Sequence, residues 1–288
     1  MSQALVVGII SGGIYGLYAL GIVLVYRGSS VLNFAQAEVG TFALFVAQSI
    51  IVGRDQPYLV GALAAIATAV GIGIAFERLV VWPLRNASRL SIVVGTIALL
   101  SLVVTLELKI FGTLPRQLDA PIAGDGFSVA GVIVTPMQAL SVVAVAVIAL
   151  ALAAFLRYTD FGLSVVAASQ DAEAVRFLGI RLSYVSIFTW GLAAALGAIA
   201  ALLIQPSIGV ISPNAYGPLF IKALGAALIG GLTSMPGAFV GGVVVGVAES
   251  QIRHATLSSQ YVGIPEVCIF AAVIATLLLR PRGLLGER

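Results

Sequence analysis

The chain has 288 residues, of which 60% are hydrophobic and 9% charged, with a mean hydropathy of +1.12. Soluble domains are roughly 25% charged, so these few ionic groups exclude a water-covered surface and point to one that faces lipid. Fifteen Lys and Arg against 12 Asp and Glu give +3 with no basic cluster, which argues against nucleic acid; one Cys and one His argue against a disulfide framework or a metal site.

Each crossing needs about 20 apolar residues, which allows roughly eight to ten membrane segments. The expectation is an all-α, polytopic transmembrane helical bundle forming a single membrane domain over 1–288, with no cofactor. The first run, 4–25, lacks a basic leader and a small-residue cleavage site, so it reads as a retained helix. Its Gly8, Gly12 and Gly16 make two G-x-x-x-G steps, a spacing that lets helix backbones approach within one bundle or across a dimer seam.

The second run, 33–52, opens with Asn33-Phe34-Ala35-Gln36-Ala37-Glu38. Asn33, Gln36 and Gly40 share one helical face, and Glu38 and Thr41 share another about 140° round. An ionisable group inside a membrane helix is a functional candidate by default. Asn33, Gln36, Glu38 and Thr41 are therefore candidates for a transport path; the alternative is that Glu38 reaches interfacial water or pairs with Arg27. Runs follow at 58–82, 91–111 and 137–156, and Glu107 and Lys109 near the end of the fourth are expected to snorkel.

Residues 157–182 form the longest polar stretch. Ser169-Gln170-Asp171 reads as a helix start, Ala172–Leu178 as a short helix and Gly179 as its stop. Val175 and Leu178 are expected to form an apolar ridge flanked by Glu173 and Arg176. Such a helix fits a partner's groove or lies on the membrane surface. Runs at 183–205, 217–250 and 262–279 complete the chain. The 217–250 stretch breaks at Ser234-Met235-Pro236-Gly237 into a hairpin or a re-entrant pair, with Gly237/Gly241 and Gly242/Gly246 again at helix-contact spacing. Lys222 either snorkels toward the outer surface, which its place near that surface favours, or faces a polar cavity, and His254 is expected to be solvated.

With the C-terminus (Arg280, Arg282, Arg288) inside, ten basic residues fall on the cytoplasmic side and five outside, which places the N-terminus outside. The chain carries no phosphate-binding loop, zinc-protease motif or nucleophile elbow, so no enzyme is expected.

Four segments bring the chain close to a known family. Val31–Glu38 is similar to its "INFAHG(D/E)" segment, and Pro83-Leu84-Arg85 with the 92–102 run gives the second match. Asp171–Ile180 resembles its Glu-Ala-Ala…Gly coupling segment. Lys222–Ala238, continuing to Gly241-Gly242 and Glu249, is the fourth, and the tail from Leu279 to Gly286 also fits. The chain resembles permeases of the LivH/LivM type from bacterial ABC importers, on the LivH side. The resemblance implies inward transport of branched-chain amino acids or a related small polar solute such as urea or an amide. It implies two cytoplasmic ATPase subunits gripping Asp171, Glu173, Ala174, Arg176, Leu178 and Gly179. It also implies a second, LivM-like permease, an external solute-binding protein and residence in the bacterial cytoplasmic membrane. Gln36 and Ala37 replace the family's His and Gly, and 162–166 lacks its usual arginines. The rival reading is a carrier or channel driven by an ion gradient.

Overall fold

The computed structural model describes residues 3–122, 124–129, 131–256, 263–280 and 283–285. Arg282, Arg288, Pro281 and Gly286 of the tail lie outside the described residues. Each apolar run is helical, because a backbone in lipid must satisfy its own hydrogen bonds. The helices are α1 (Gln3–Ser29), α2 (Gln36–Ile51), α3 (Tyr58–Phe76), α4 (Arg89–Phe111), α5 (Pro136–Tyr158), α6 (Asp160–Gln170) and α7 (Ala172–Phe177). They continue with α8 (Leu182–Ile208), α9 (Gly217–Gly230), α10 (Met235–Ala255) and α11 (Ile264–Leu279). α3 runs on through a π turn at Glu77–Val81 and a 3₁₀ turn at Pro83–Asn86. One small hairpin, β1 (Phe127–Val129) with β2 (Val132–Val134), lies in the loop before α5.

Six of the helices (α1, α3 with its π turn, α4, α5, α8 and α10) are long and apolar enough to cross a membrane. The most apolar windows of α1 and α8 are 78% buried, against 28% for α3 and 22% for α4 and α5, so α1 and α8 form the centre and α3, α4 and α5 the lipid-facing rim. Leu63, Leu102 and Leu150 stand exposed on that rim.

The 217–250 stretch divides as the Pro/Gly break predicts, into α9 and α10 packed tightly side by side. Ser234 caps α10 by accepting the Gly237 N–H at 3.1 Å, and Pro236 sits in the first turn, where its missing donor costs nothing. Gly241 packs against the Ala226 carbonyl of α9. At the far end of the hairpin the tail returns: the Leu284 and Leu285 N–H groups donate to the Ile229 and Gly230 carbonyls at 2.8 and 3.0 Å. These are orphan acceptors of the α9 terminus.

The glycines of α1 meet α10 within the same chain. A Cβ on Gly12 would sit 2.8 Å from the Gly242 carbonyl and 2.8 Å from Val243 Cα, and one on Gly16 would sit 2.8 Å from the Phe239 carbonyl. Residues 160–170 depart from the sequence expectation of a loop. They form α6, because Thr159 caps it through the Gly162 N–H at 3.0 Å and Gly162 leaves room for the Phe155 carbonyl behind it. Gly12→Leu forces α1 and α10 apart and should lower stability by about 1–3 kcal/mol, read as a lower unfolding temperature in detergent. Gly71→Ala, where a Cβ meets nothing within 4 Å, should hold or raise it.

Candidate functional site

At the end of the bundle that carries the start of α1 and the close of α8 and α10, a cavity of about 430 Å³ opens between helices. Ile10, Ile14, Ile204 and Leu219 give it an aliphatic wall. Its opposite side is ionic. Glu249 accepts from Lys222 Nζ at 2.7 Å and Arg253 Nη2 at 2.6 Å through one carboxylate oxygen, and from the Tyr15 hydroxyl at 2.9 Å through the other. Lys222 also lies 3.6 Å from Glu266 and 5.8 Å from the Tyr15 ring centre. The Lys222 side chain is only 13% exposed, so it does not snorkel outward. Its ammonium turns inward because Glu249, one helix away, neutralises it there. His254 is exposed, and so is Lys109.

A second polar set lies deeper. Gln36 packs against Gly21 of α1 and Gly197 of α8. Gly21 stands about 27 Å along α1 at 1.5 Å per residue, so α2 begins in the interior of the bundle. Asn33 lies in the turn before α2, where its Oδ1 accepts the Ala35 N–H at 3.1 Å. Gln36 Nε2 donates to the Tyr18 carbonyl at 3.4 Å, and its Oε1 has no partner among the described residues. Thr41 spends its hydroxyl on the Ala37 carbonyl at 3.1 Å.

Glu38 is 1% exposed, which rules out interfacial water as its partner. Arg27 lies toward the other end, where its Nε donates to Ser169 Oγ at 3.1 Å. The Asn214 backbone and Thr41 approach the Glu38 carboxyl, but neither closes a well-formed hydrogen bond to it. Glu107, expected to snorkel, is instead fully buried on α4. The Phe34 and Phe220 rings meet at 5.6 Å, which brings the first turn of α9 beside the turn that opens α2. With 16 and 14 residues, α2 and α9 measure about 24 and 21 Å, short of a roughly 30 Å hydrocarbon core. The positive ends of the two short helices therefore face the same region of the bundle, below the end cavity.

At the opposite end of the bundle, α7 is closed at both termini. Asp171 caps it by accepting the Ala174 N–H at 2.9 Å, and Gly179 leaves it with φ +81°. Ala174 and Arg176 are exposed; Glu173 belongs to the helix, its side chain lying outside what the structure describes. The expected apolar ridge of Val175 and Leu178 does not form. Val175 turns into the bundle at 2% exposure, while Phe177 and Leu178 project at 89% and 77%. The anchor and the tip point opposite ways because α7 rests edge-on against α6 and α8. Beside it, Arg85, Arg176 and Arg181 line a cleft of about 400 Å³.

A bundle of lipid-facing helices with a polar set at mid-depth, a cavity at one end and a projecting helix tip at the other is the build of a membrane permease subunit. The family described as "Branched-chain amino acid transport system / permease component" matches residues 4–279, and the chain belongs to it. It is 32% identical to the high-affinity branched-chain amino acid permease LivH of Salmonella typhimurium, over 97% of this chain and 94% of that one. It is likewise 32% identical to BraD of Pseudomonas aeruginosa, over 99% and 95%. The probable LivH of Methanocaldococcus jannaschii is 28% identical over 96% and 90%. Among solved structures, PsaBC from Streptococcus pneumoniae in complex with Fab aligns with a TM-score of 0.50 and 16% identity, covering 96% of this chain and 89% of that one. That likeness is one of fold.

Removing one member of a buried ion pair strands the other. Glu249→Leu should cost about 3 kcal/mol, and Lys222→Met with Glu249→Leu together should cost less than the sum of the two. Chemical unfolding of the purified variants measures both.

Proposed function

We propose that this chain is the transmembrane permease of an ABC importer that moves branched-chain amino acids, or a closely related small polar solute, into the cell. It forms one permease domain over 1–288 in the bacterial cytoplasmic membrane, with the N-terminus outside and the α7 end in the cytoplasm. A soluble binding protein delivers solute to the cavity above Glu249. The aliphatic wall of that cavity suits a branched side chain, and its ionic side suits the two charges of an amino acid. Solute then passes to the set at mid-depth around Asn33, Gln36, Glu38 and Thr41.

The observation that carries the reading is the tip of α7. An apolar pair, Phe177 and Leu178, stands almost fully exposed on a helix held rigid by the Asp171 cap, the Gly179 turn and the Val175 anchor. A large apolar side chain held out in this way is the shape of an anchor for a partner's groove. The sequence carries no nucleotide-binding loop of its own, so the energy comes from partners: two cytoplasmic ATPases, each seated on one permease of a pair. Asp171, Glu173, Ala174 and Arg176 frame the contact, and the resemblance to LivH favours a LivM-like second permease.

The test is reconstitution in liposomes with the ATPase and binding-protein partners. Uptake should require ATP, and Phe177→Asp with Leu178→Asp should cut ATPase retention at least tenfold, the loss of about 1.4 kcal/mol or more expected of an anchor. The double variant should still enter the membrane and run as the parent does on gel filtration. Gly179→Val, strained at φ +81°, should uncouple hydrolysis from uptake. Solute movement down its gradient by the permease alone, with no ATPase present, would establish the ion-gradient carrier instead.

A further inference from the structure

Glu38 and Glu107 stand on neighbouring helices at one level. Phe42 and Phe111 follow them by one turn each, and those two rings meet edge-on at 5.5 Å. Phe111 also stacks on Phe45 at 4.8 Å. α2 and α4 thus run side by side in the same sense, and the two carboxyls come within electrostatic reach of each other. They are 1% and 0% exposed. None of their four oxygens has a hydrogen-bond partner, and no ion pair reaches either, among the described residues. The contrast with Glu249, which takes three donors, is complete.

A third group points to the same place. The Tyr18 hydroxyl on α1 is fully buried, has no hydrogen-bond partner among the described residues and lies within electrostatic reach of Glu38. Two carboxyls and a hydroxyl make three acceptor groups, and among the described residues no cation pairs with them. An alkylammonium group carries three donors and one positive charge, which matches that set in number and in sign. We propose that Glu38 and Glu107, with the Tyr18 hydroxyl, form the mid-membrane subsite that takes the ammonium group of the amino-acid solute. The identity of that cation rests on the importer reading above. The pair is then specificity-determining: a solute with a carboxylate and no ammonium is refused at mid-depth, whatever the binding protein delivers.

The experiment uses the permease with its ATPase partners in nanodiscs, without binding protein, and four probes: leucine, 3-methylbutylammonium, 4-methylpentanoate and sodium chloride. Leucine and 3-methylbutylammonium should raise the unfolding temperature, the ammonium shift should vanish in Glu38→Gln and in Glu107→Gln, and any 4-methylpentanoate shift, taken at the outer cavity by Lys222 and Arg253, should be the same in parent and variants. Glu38→Gln and Glu107→Gln, checked by co-purification with the ATPase, should each raise the half-saturating leucine concentration at least tenfold. A 3-methylbutylammonium shift that survives in both variants overturns the proposal. So does unchanged half-saturation in both variants, or a shift from sodium that equals that of the ammonium probe. The importer reading fails separately, and visibly, if the parent complex in liposomes shows no ATP-dependent uptake of any amino acid.

Discussion

The architecture depends on how closely α1 and α10 approach. Lipid gives helices no hydrophobic reason to associate, so contact must come from packing of backbone on backbone. Gly8, Gly12 and Gly16 on one side, and Gly242 and Gly246 on the other, leave no side chain between the two helices. That contact sets the level of α10 against α1, and the level of α10 fixes where Glu249 stands. Glu249 in turn holds Tyr15, Lys222 and Arg253 about one carboxylate. Through Lys222 the arrangement extends to α9, and so to the contact of α9 with the turn before α2.

The two charged assemblies inside this bundle are built on opposite principles. Around Glu249, burial of charge is compensated locally, with two cations and a phenol on one acid, so the assembly is structurally self-sufficient. Around Glu38 no cation compensates, and the Glu38 and Glu107 carboxyls, Gln36 Oε1 and the Tyr18 hydroxyl lack hydrogen-bond partners within the described residues. Unpartnered polar groups weaken a fold, and a protein that keeps several of them together has a use for them other than stability. The start of α2, a helix shorter than the hydrocarbon core, adds backbone donors near that place, a feature common where helices are interrupted to receive a solute.

Much of this was legible in the sequence, because lipid makes the rules strict. Apolar runs between charges located the membrane helices, and Pro236-Gly237 located the break between α9 and α10. Asp171 and Gly179 bracketed α7. What sequence reasoning missed were phases and distant partners. The spacing of Val175 and Leu178 fits one ridge on an isolated helix, but a six-residue helix has room to turn one of them inward and the other out. Lys222 was read as snorkelling because Glu249 lies 27 residues away, and nothing local announces that pair. Glu107 was misread for the same reason: its place opposite Glu38 is set by how α2 and α4 stack their aromatic rings. A signal did exist for Glu249, an acid near the end of the 217–250 run whose one other charge is Lys222, and such a residue asks for a basic partner on a neighbouring helix.

The meeting of α1 with α10 also has a consequence for how the protein is made. Tyr15 and Glu249 are separated by 234 positions, so α1 enters the membrane long before its counterpart has been translated. At roughly 5–20 residues per second, the interval is on the order of ten to fifty seconds. For that time the glycine-lined side of α1 has no mate, and lipid or an insertion factor must occupy it. Assembly of the core is therefore paced by the ribosome, and a slower stretch of codons anywhere between the two helices lengthens the wait.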